Sequence, residues 1–321
     1  TRLWRVTGVQ TCALPISAKK SKGLNGRKGV QEAKFWTQVI QTLRPQYGLD
    51  LLLEINGMAR STFYYHLKAL ERTDRYEAEK KRICEIFHEN NGRYGYRRIT
   101  MQLHNEGIAL NHKTVERLMK ELGLKCLIRK KRYRSYKGTI GKIATNILNR
   151  GFTAYKPYQK LVTDVSQITI GNEKCFLSPV LDLFNGEVLG YDISDRADLT
   201  QINKMLNDVF AITDKLPDGW GTLLHSDQGW QYQHKKYQEA LEKHGIMQSM
   251  SRKGNCLDNS VMENFFGLMK SELLYANQYK SMEHFKKDLK EYIEWYNNKR
   301  IKMRLKGMSP VQYRAQYFKN K

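Results

Sequence analysis

Between Lys160 and Ile193 three runs rich in β-branched and apolar residues follow one another with no helical stretch between them. The first, Lys160 to Ile170, carries Val162, Thr163, Val165, Ile168, Thr169 and Ile170. The second is Cys175 to Phe184 and the third Val188 to Ile193. Asn185-Gly186 separates the last two. That dipeptide between apolar runs predicts a tight hairpin, because both residues accept positive φ. Three strands in immediate succession predict an antiparallel trio. The pattern then changes. Leu199 to Phe210 has helical spacing, and Thr222 to Leu224 is a short apolar strand running into His225-Ser226-Asp227. His234 to His244 is helical, Gly245 leads into a strand at Ile246 to Met250, and Leu257 to Leu274 reads as one long helix.

An antiparallel trio continued by α/β crossovers is the RNase H-like plan. The half before it is different. From Gln31 to Leu70 apolar residues recur at three and four, with Phe35, Val39, Ile40 and Leu43 first and Pro45 to Gly48 as a break. Leu49 to Ile55 restarts the run, Asn56-Gly57 turns it, and Ala59 to Leu70 forms another helix. Helix, glycine turn, helix predicts a helix-turn-helix over residues 30–71, whose second helix offers Arg60, Ser61, Thr62, Tyr64, Tyr65 and Lys68 to a DNA groove. A plain helical hairpin with a solvated face reads the same residues. A second unit covers 77–125, with Ile83, Ile86 and Phe87 as one stripe. Arg93-Tyr94-Gly95-Tyr96-Arg97-Arg98 opens its next helix, Asn111 and Thr114 are candidate caps, and Gly123 is its end. A helical spacer is its bland alternative.

Charge narrows the partner. Lys plus Arg number 55 against 32 Asp plus Glu, a formal +23, which points to a polyanion such as nucleic acid. Eight basic residues and no acid lie between Lys125 and Lys142, with Tyr133 and Tyr136 interleaved. This predicts a basic linker over 126–155 that tracks DNA, with Arg129, Lys130, Lys131 and Arg132 as phosphate contacts. A second set of eight falls between Asn297 and Lys321, giving a C-terminal helix and basic tail over 276–321. No run of about 18 apolar residues is present, so no membrane span is expected. The five cysteines form no C-x-x-C pair, which fits a reducing compartment, and Cys84 with His88 lacks the second pair a zinc site needs. Val6 to Ile16 resembles a translated sequencing-library adapter; residues 1–16 are expected to be non-native. A signal peptide would need the sustained apolar core that this segment lacks.

The acids carry the chemistry. No Walker-type loop and no G-x-S-x-G elbow is present. Asp164 interrupts an apolar strand, where a charge is costly unless paired. Asp227 follows the C-terminal end of a buried strand, the place where α/β sheets hold ligands. Glu263 lies on the long helix beside Met262, Phe265 and Phe266. Three hard oxygen donors suit Mg²⁺ or Mn²⁺, and two such ions can serve phosphoryl transfer. Each acid read alone is an ordinary carboxylate or salt-bridge partner.

His225-Ser226-Asp227-Gln228-Gly229-Trp230-Gln231-Tyr232 resembles the second-aspartate motif of insertion-sequence transposases with a retroviral-integrase-like core. Ser251 to Ser260, leading to Glu263-Asn264-Phe265-Phe266, resembles their glutamate motif, and 35 residues separate Asp227 from Glu263, the spacing of that family's acidic triad. Asn297-Asn298-Lys299-Arg300 and Gly307-Met308-Ser309-Pro310 resemble its C-terminal signature. The similarity runs from about Gly57 to the C-terminus and is most like the downstream frame (OrfB) of the copy-out, frameshift-expressed elements. The resemblance implies an α/β fold, an RNase H-like integrase catalytic core (residues 156–275) preceded by an all-α helix-turn-helix region. It implies that Asp164, Asp227 and Glu263 bind two Mg²⁺ or Mn²⁺ ions and that Lys270 holds a phosphate of the element end. Asn255, Asp258 and Asn259 would shape the loop before the catalytic helix. His225 and Trp230 would position Asp227 by packing, with Asp182 and Asp192 structural. The family usually carries Trp where this chain has Leu161, which implies looser packing beneath Asp164. The implied activity is a DNA transposase with endonuclease and strand-transfer steps. It would act on terminal inverted repeats and target double-stranded DNA as a homo-oligomer, in the cytoplasm of a bacterium and associated with its nucleoid. A catalytically inactive DNA-binding relic or regulator, and a plain RNase H-type nuclease, are the alternatives.

Overall fold

The computed structural model describes residues 27–70, 74–126, 144–252 and 256–320. The adapter-like segment, Asn255 and the basic run with Arg129, Lys130, Lys131 and Arg132 lie outside the described residues. The chain divides into two compact units, 1–77 and 78–321.

The first unit holds three helices, α1 (Arg27–Tyr47), α2 (Leu49–Asn56) and α3 (Arg60–Leu70). Pro45 does not end α1 where the sequence predicts a break; it sits in the last turn, and Gly48 at φ +68° makes the stop. Gly57 closes α2 in the left-handed region at φ +71°, donating its N–H to the Glu54 carbonyl. Ile40, Leu49, Leu53 and Phe63 form the core, with Leu52, Met58 and Leu67 against it.

The second unit begins with α4 (Glu77–Glu89), α5 (Tyr96–Asn105) and α6 (His112–Glu121). Asn111 caps α6 by accepting from the Lys113 N–H, whereas Thr114 lies inside the helix. The sheet follows: β1 (Lys160–Thr163), β2 (Ser166–Ile170), β3 (Glu173–Asp182), β4 (Val188–Ser194), β5 (Leu223–Ser226) and β6 (Met247–Met250). Three helices interleave with or follow these strands, α7 (Leu199–Thr213), α8 (Lys235–Lys243) and α9 (Ser260–Met269). The chain ends in α10 (Met282–Asn298) and α11 (Pro310–Lys319), the latter opened by a Ser309–Gln312 capping box. Strands β1 to β4 pair antiparallel, and β1, β5 and β6 pair parallel. Alternate residues of β1 serve opposite cores. Val162 packs with Met262, Phe265 and Leu289 on one face; Leu161 packs with Ile202, Met205 and Leu241 on the other. Leu161 is fully buried, so the smaller side chain is seated in the core. This is the mixed-sheet, RNase H-like arrangement.

The first predicted strand is in fact two. β1 stops at Thr163 and β2 starts at Ser166, yet one register spans the gap, with Thr163 opposite Val180 and Ser166 opposite Leu177. That register sets Pro179 across from Asp164. Proline has no N–H to donate, so the ladder fails there. The Thr163 hydroxyl donates to the Pro179 carbonyl instead, at 3.0 Å. Asp164 therefore sits in a break, not inside a strand. The long helix predicted over Leu257–Leu274 is also composite: a 3₁₀ turn (Cys256–Asn259), α9, and a π turn (Lys270–Leu274).

Helix α7 lies close on β4. A Cβ added to Gly190 would meet the Asp208 Cβ at 2.7 Å and the Met205 carbonyl oxygen at 2.8 Å. Backbone cannot move aside cheaply, so Gly190→Ala is expected to destabilise the protein by about 1–3 kcal/mol, read by urea denaturation. An unchanged midpoint would mean that the two elements are loosely packed.

Candidate active site

Parallel pairing of β1 with β5 matches Leu161 to Leu224 and Val162 to His225. Continued two residues, it brings Asp164 beside Asp227 at the carboxyl ends of adjacent strands. Each is anchored by one oxygen. Asp164 Oδ1 accepts from the Val165 N–H at 2.8 Å, and Asp227 Oδ1 accepts from the Gly229 N–H at 2.8 Å. A Cβ on Gly229 would lie 3.0 Å from Asp227 Oδ1 and 2.6 Å from Gln231 Nε2, so a larger residue there would displace the side-chain ends that flank the aspartate.

Helix α9 supplies Glu263, and the helix start is tied to the end of β1. Asn259 donates from Nδ2 to the Thr163 carbonyl at 3.2 Å and gives the helix no side-chain cap. The carboxylates feel one another. Burial first, then the carboxylate of Asp227, push Asp164 well above the usual carboxylate range; Glu263 adds to the push and Lys270 opposes it. Burial also raises Asp227 and Glu263. Lys270 is pulled down by burial and drawn back up by Asp164.

Three hard oxygen donors, two of them acting on Asp164 and two with an oxygen not engaged by any described residue, are of the chemistry that suits divalent cations such as Mg²⁺ or Mn²⁺. Among the described residues, no three His, Cys, Asp or Glu side chains, Asp164, Asp227 and Glu263 included, stand close enough together to form a metal-holding group. Cys84 and Cys175 are free thiols, and the Cys126 thiol donates to the Arg93 carbonyl.

His225 has a different job from acid or base. Burial pushes it down to about 4, so it is neutral at physiological pH. Ser249 Oγ accepts from the N–H groups of Ile147 and Leu148, which leaves its own proton for His225 Nδ1 at 2.8 Å. The ring is then protonated at Nε2, which donates to Ser251 Oγ at 3.0 Å, and that hydroxyl donates to the Ser226 carbonyl. The chain of donors stitches β5 to β6 beneath Asp227. Trp230 corrects the expectation that it packs there: it is 57% exposed, while its neighbours Gln231 and Tyr232 are buried. Asp182 is a buried acceptor for the Tyr158 and Phe184 N–H groups, pushed up to about 7 by burial. Asp192 is half-buried, and the Gln201 amide donates to its carbonyl.

Two other acids hold local structure: Asp258, expected from the sequence to shape the loop before the helix of Glu263, and Glu272, which the sequence did not single out. Asp258, fully buried, accepts from Asn146 Nδ2, Arg150 Nε, and Arg252 N and Nε at 2.9–3.2 Å. Glu272 accepts two hydrogen bonds from Arg300. The basic tail is partly consumed inside the unit as well. Lys302 Nζ donates to the Gly186 carbonyl and the Tyr296 hydroxyl, and Arg314 grips Glu187. In the first unit, α3 turns Ser61, Tyr64, Tyr65 and Lys68 to solvent on one face, with Tyr65 71% exposed. Arg60 is also exposed and pairs with Asp50, and Thr62 is half-buried.

Comparison with known proteins agrees with this architecture. An HTH-like domain matches residues 74–132, and integrase core domains match 154–256 and 263–318. The chain is 51% identical over 281 residues to the putative transposase InsK for insertion sequence element IS150 of Escherichia coli K12, covering 88% of this chain and 98% of that one. It is 47% identical over 211 residues to an uncharacterized transposase-like protein of Haemophilus influenzae, covering 66% and 96%. The HTLV-2 integrase catalytic core domain, solved with magnesium, superposes with a TM-score of 0.40 at 15% identity over 50% of this chain and 99% of that one, too loose to carry weight.

Proposed function

Because the chain belongs to the insertion-sequence transposases with an integrase core, and so is a DNA transposase of the polynucleotidyl transferase type, we propose that Asp164, Asp227 and Glu263 are its reacting centre. The observation that carries this reading is the side-by-side placement of Asp164 and Asp227 at two strand ends, with Glu263 and Lys270 acting on the same carboxylate. Cores of this family depend on divalent metal; here the three acids would hold two Mg²⁺ or Mn²⁺ ions. When bound, the ions supply Lewis-acid stabilisation of charge on the attacking and leaving oxygens at phosphorus. The chain's own residues do the rest. The Val165 and Gly229 N–H groups fix one oxygen of each aspartate and leave the other turned to the ligand side. Lys270 holds a phosphate of the element end. Water and then the freed 3′-hydroxyl attack in line, so no covalent link to the protein is needed.

The partners are double-stranded DNA ends and target DNA, with the protein assembled as a homo-oligomer on them. No helix among the described residues is long and apolar enough to cross a membrane. A Mg²⁺-dependent strand-transfer assay on the element's own terminal repeats tests the reading. Joined products support it. Binding without cleavage would leave a DNA-binding relic, and cutting that requires ribonucleotides would leave a nuclease.

The exposed face of α3 is the proposed contact for DNA in the first unit. Lys68→Ala is expected to weaken binding to any duplex by a similar factor and to lower the slope of log K against log salt by about 1. Tyr65→Ala, which removes no charge, should leave that slope unchanged. Binding curves from 50 to 200 mM salt check both; an unaltered Lys68→Ala slope would remove α3 from the interface.

A further inference from the structure

Among the described residues, a buried group of charged side chains that the reaction leaves unused surrounds Glu272. Arg300 meets its carboxylate twice, Nη2 to Oε1 at 2.7 Å and Nε to Oε2 at 3.0 Å. The Tyr292 hydroxyl donates to Oε2 at 2.9 Å, and Arg98 Nη1 lies 3.7 Å from Oε1. Arg93 donates to the backbone carbonyl of the same residue at 3.2 Å while its guanidinium lies over the rings of Trp295 and Tyr292. Arg93, Glu272 and Arg300 are all buried. Three arginines against one glutamate leave positive charge in excess inside the protein. Burying such charge is expensive, and an apolar replacement is often the more stable solution, so stability alone does not account for the arrangement.

What it does grip is the π turn. Glu272 stands two residues beyond Lys270 in Lys270–Leu274, the turn that continues the helix of Glu263. A π turn is rare and recurs at functional sites. Seven residues along an α-helix amount to nearly two whole turns, so Glu263 and Lys270 share a face, while a residue two further on lies about half a turn away. One side of the turn thus addresses Asp164 through Lys270, and the other is locked in the arginine cage. The cage has two sources. Arg93 and Arg98 come from the entry to α5 and from α5 itself, and Arg300 follows α10. Further ties bind the same partners: the Tyr94 hydroxyl donates to the Lys299 carbonyl, and Asn105 Nδ2 donates to the Gly307 carbonyl at 3.0 Å.

We infer that Glu272 is a positioning residue that holds the π turn so that Lys270 faces the acidic site, and that helices α4–α6 brace this turn through Arg93 and Arg98. The inference rests on the proposed phosphate contact of Lys270. It assigns the HTH-like helices a mechanical duty in catalysis besides any contact with DNA.

A double-mutant cycle tests it in the full chain, with Glu272→Asp and Lys270→Ala made singly and together. The substrate is duplex DNA carrying the element's own ends. Shortening the side chain by one methylene keeps the charge but retracts the turn. In the parent background Glu272→Asp is expected to lower kcat/KM for strand transfer about 10-fold, and in the Lys270→Ala background less than about two-fold. Equal losses in both backgrounds would overturn the positioning role and leave Glu272 as scaffold. A Lys270→Ala protein as active as the parent would overturn the phosphate contact, and this inference with it. Should Glu272→Asp fail to fold, Arg93→Lys, which alters only the bond to the Glu272 carbonyl and the ring contact, is measured in the same cycle with the same expectations.

Discussion

Asp164→Asn is expected to abolish strand transfer, lowering its rate at least about 1,000-fold, and at the same time to raise the melting temperature of the metal-free protein. The rate loss corresponds to about 4 kcal/mol of transition-state stabilisation, within reach of a single ligand at a phosphoryl-transfer centre. The gain in stability has a separate cause. Burial and the neighbouring Asp227 carboxylate push Asp164 up, so the folded state holds its proton where the unfolded chain has released it. Stability then falls as pH rises through the raised value and is fully present only below the unfolded value near 4. Asparagine removes the repulsion and keeps Oδ1 as acceptor for the Val165 N–H. If the relief is worth about 1 kcal/mol, the melting temperature rises by roughly 2–4 °C at pH 7.5. Mg²⁺ should stabilise the parent protein and leave the variant less affected, because binding to the folded state alone shifts the equilibrium. Thermal melts from pH 5 to 8, with and without Mg²⁺, separate the effects. A variant that loses activity and stability together would mark Asp164 as a structural acid.

Asp258→Ala should cost about 3 kcal/mol of folding stability, because it strands donors from Asn146, Arg150 and Arg252 around a vacated acceptor. Its pH signature is opposite to that of Asp164. Burial works against the charge of Asp258, yet the bonds from Arg150 and Arg252 hold it below the usual carboxylate range. Its contribution is present above the unfolded value near 4 and is lost as pH falls through the depressed one. Urea denaturation of parent and variant at pH 7 and pH 3.5 should therefore show a gap that narrows in acid. A gap that is constant with pH would mean that the carboxylate's charge is not what binds the segment from Ala144 to Arg150 to the start of α9.

The strand-rich core was legible because it is written in short-range signals. Asn185-Gly186 does mark a connection between β3 and β4, and the alternation of strand and helix after Leu199 is the observed order. The two aspartates stood out because a charge within an apolar run, as Asp164 was read, or just past one, as Asp227 is, needs a reason. What escaped was set by partners distant in sequence. The interruption at Asp164 depends on Pro179, visible only once the register is known. The exposure of Trp230 depends on its neighbours in the 3₁₀ turn taking the interior. The tail from Asn297 looked like a uniform basic surface, but Arg300, Lys302 and Arg314 find acceptors on segments far back in the chain. Basic residues counted along a sequence therefore overstate the charge left for a polyanion.

The gap opposite Pro179 has a mechanical consequence. Thr163 on one side is pinned by the Asn259 amide, and Ser166 on the other re-enters the sheet, so the intervening dipeptide is a short slack span between two fixed piers. The acid proposed to hold the ions rides on the one stretch between β1 and β2 that the sheet does not hold.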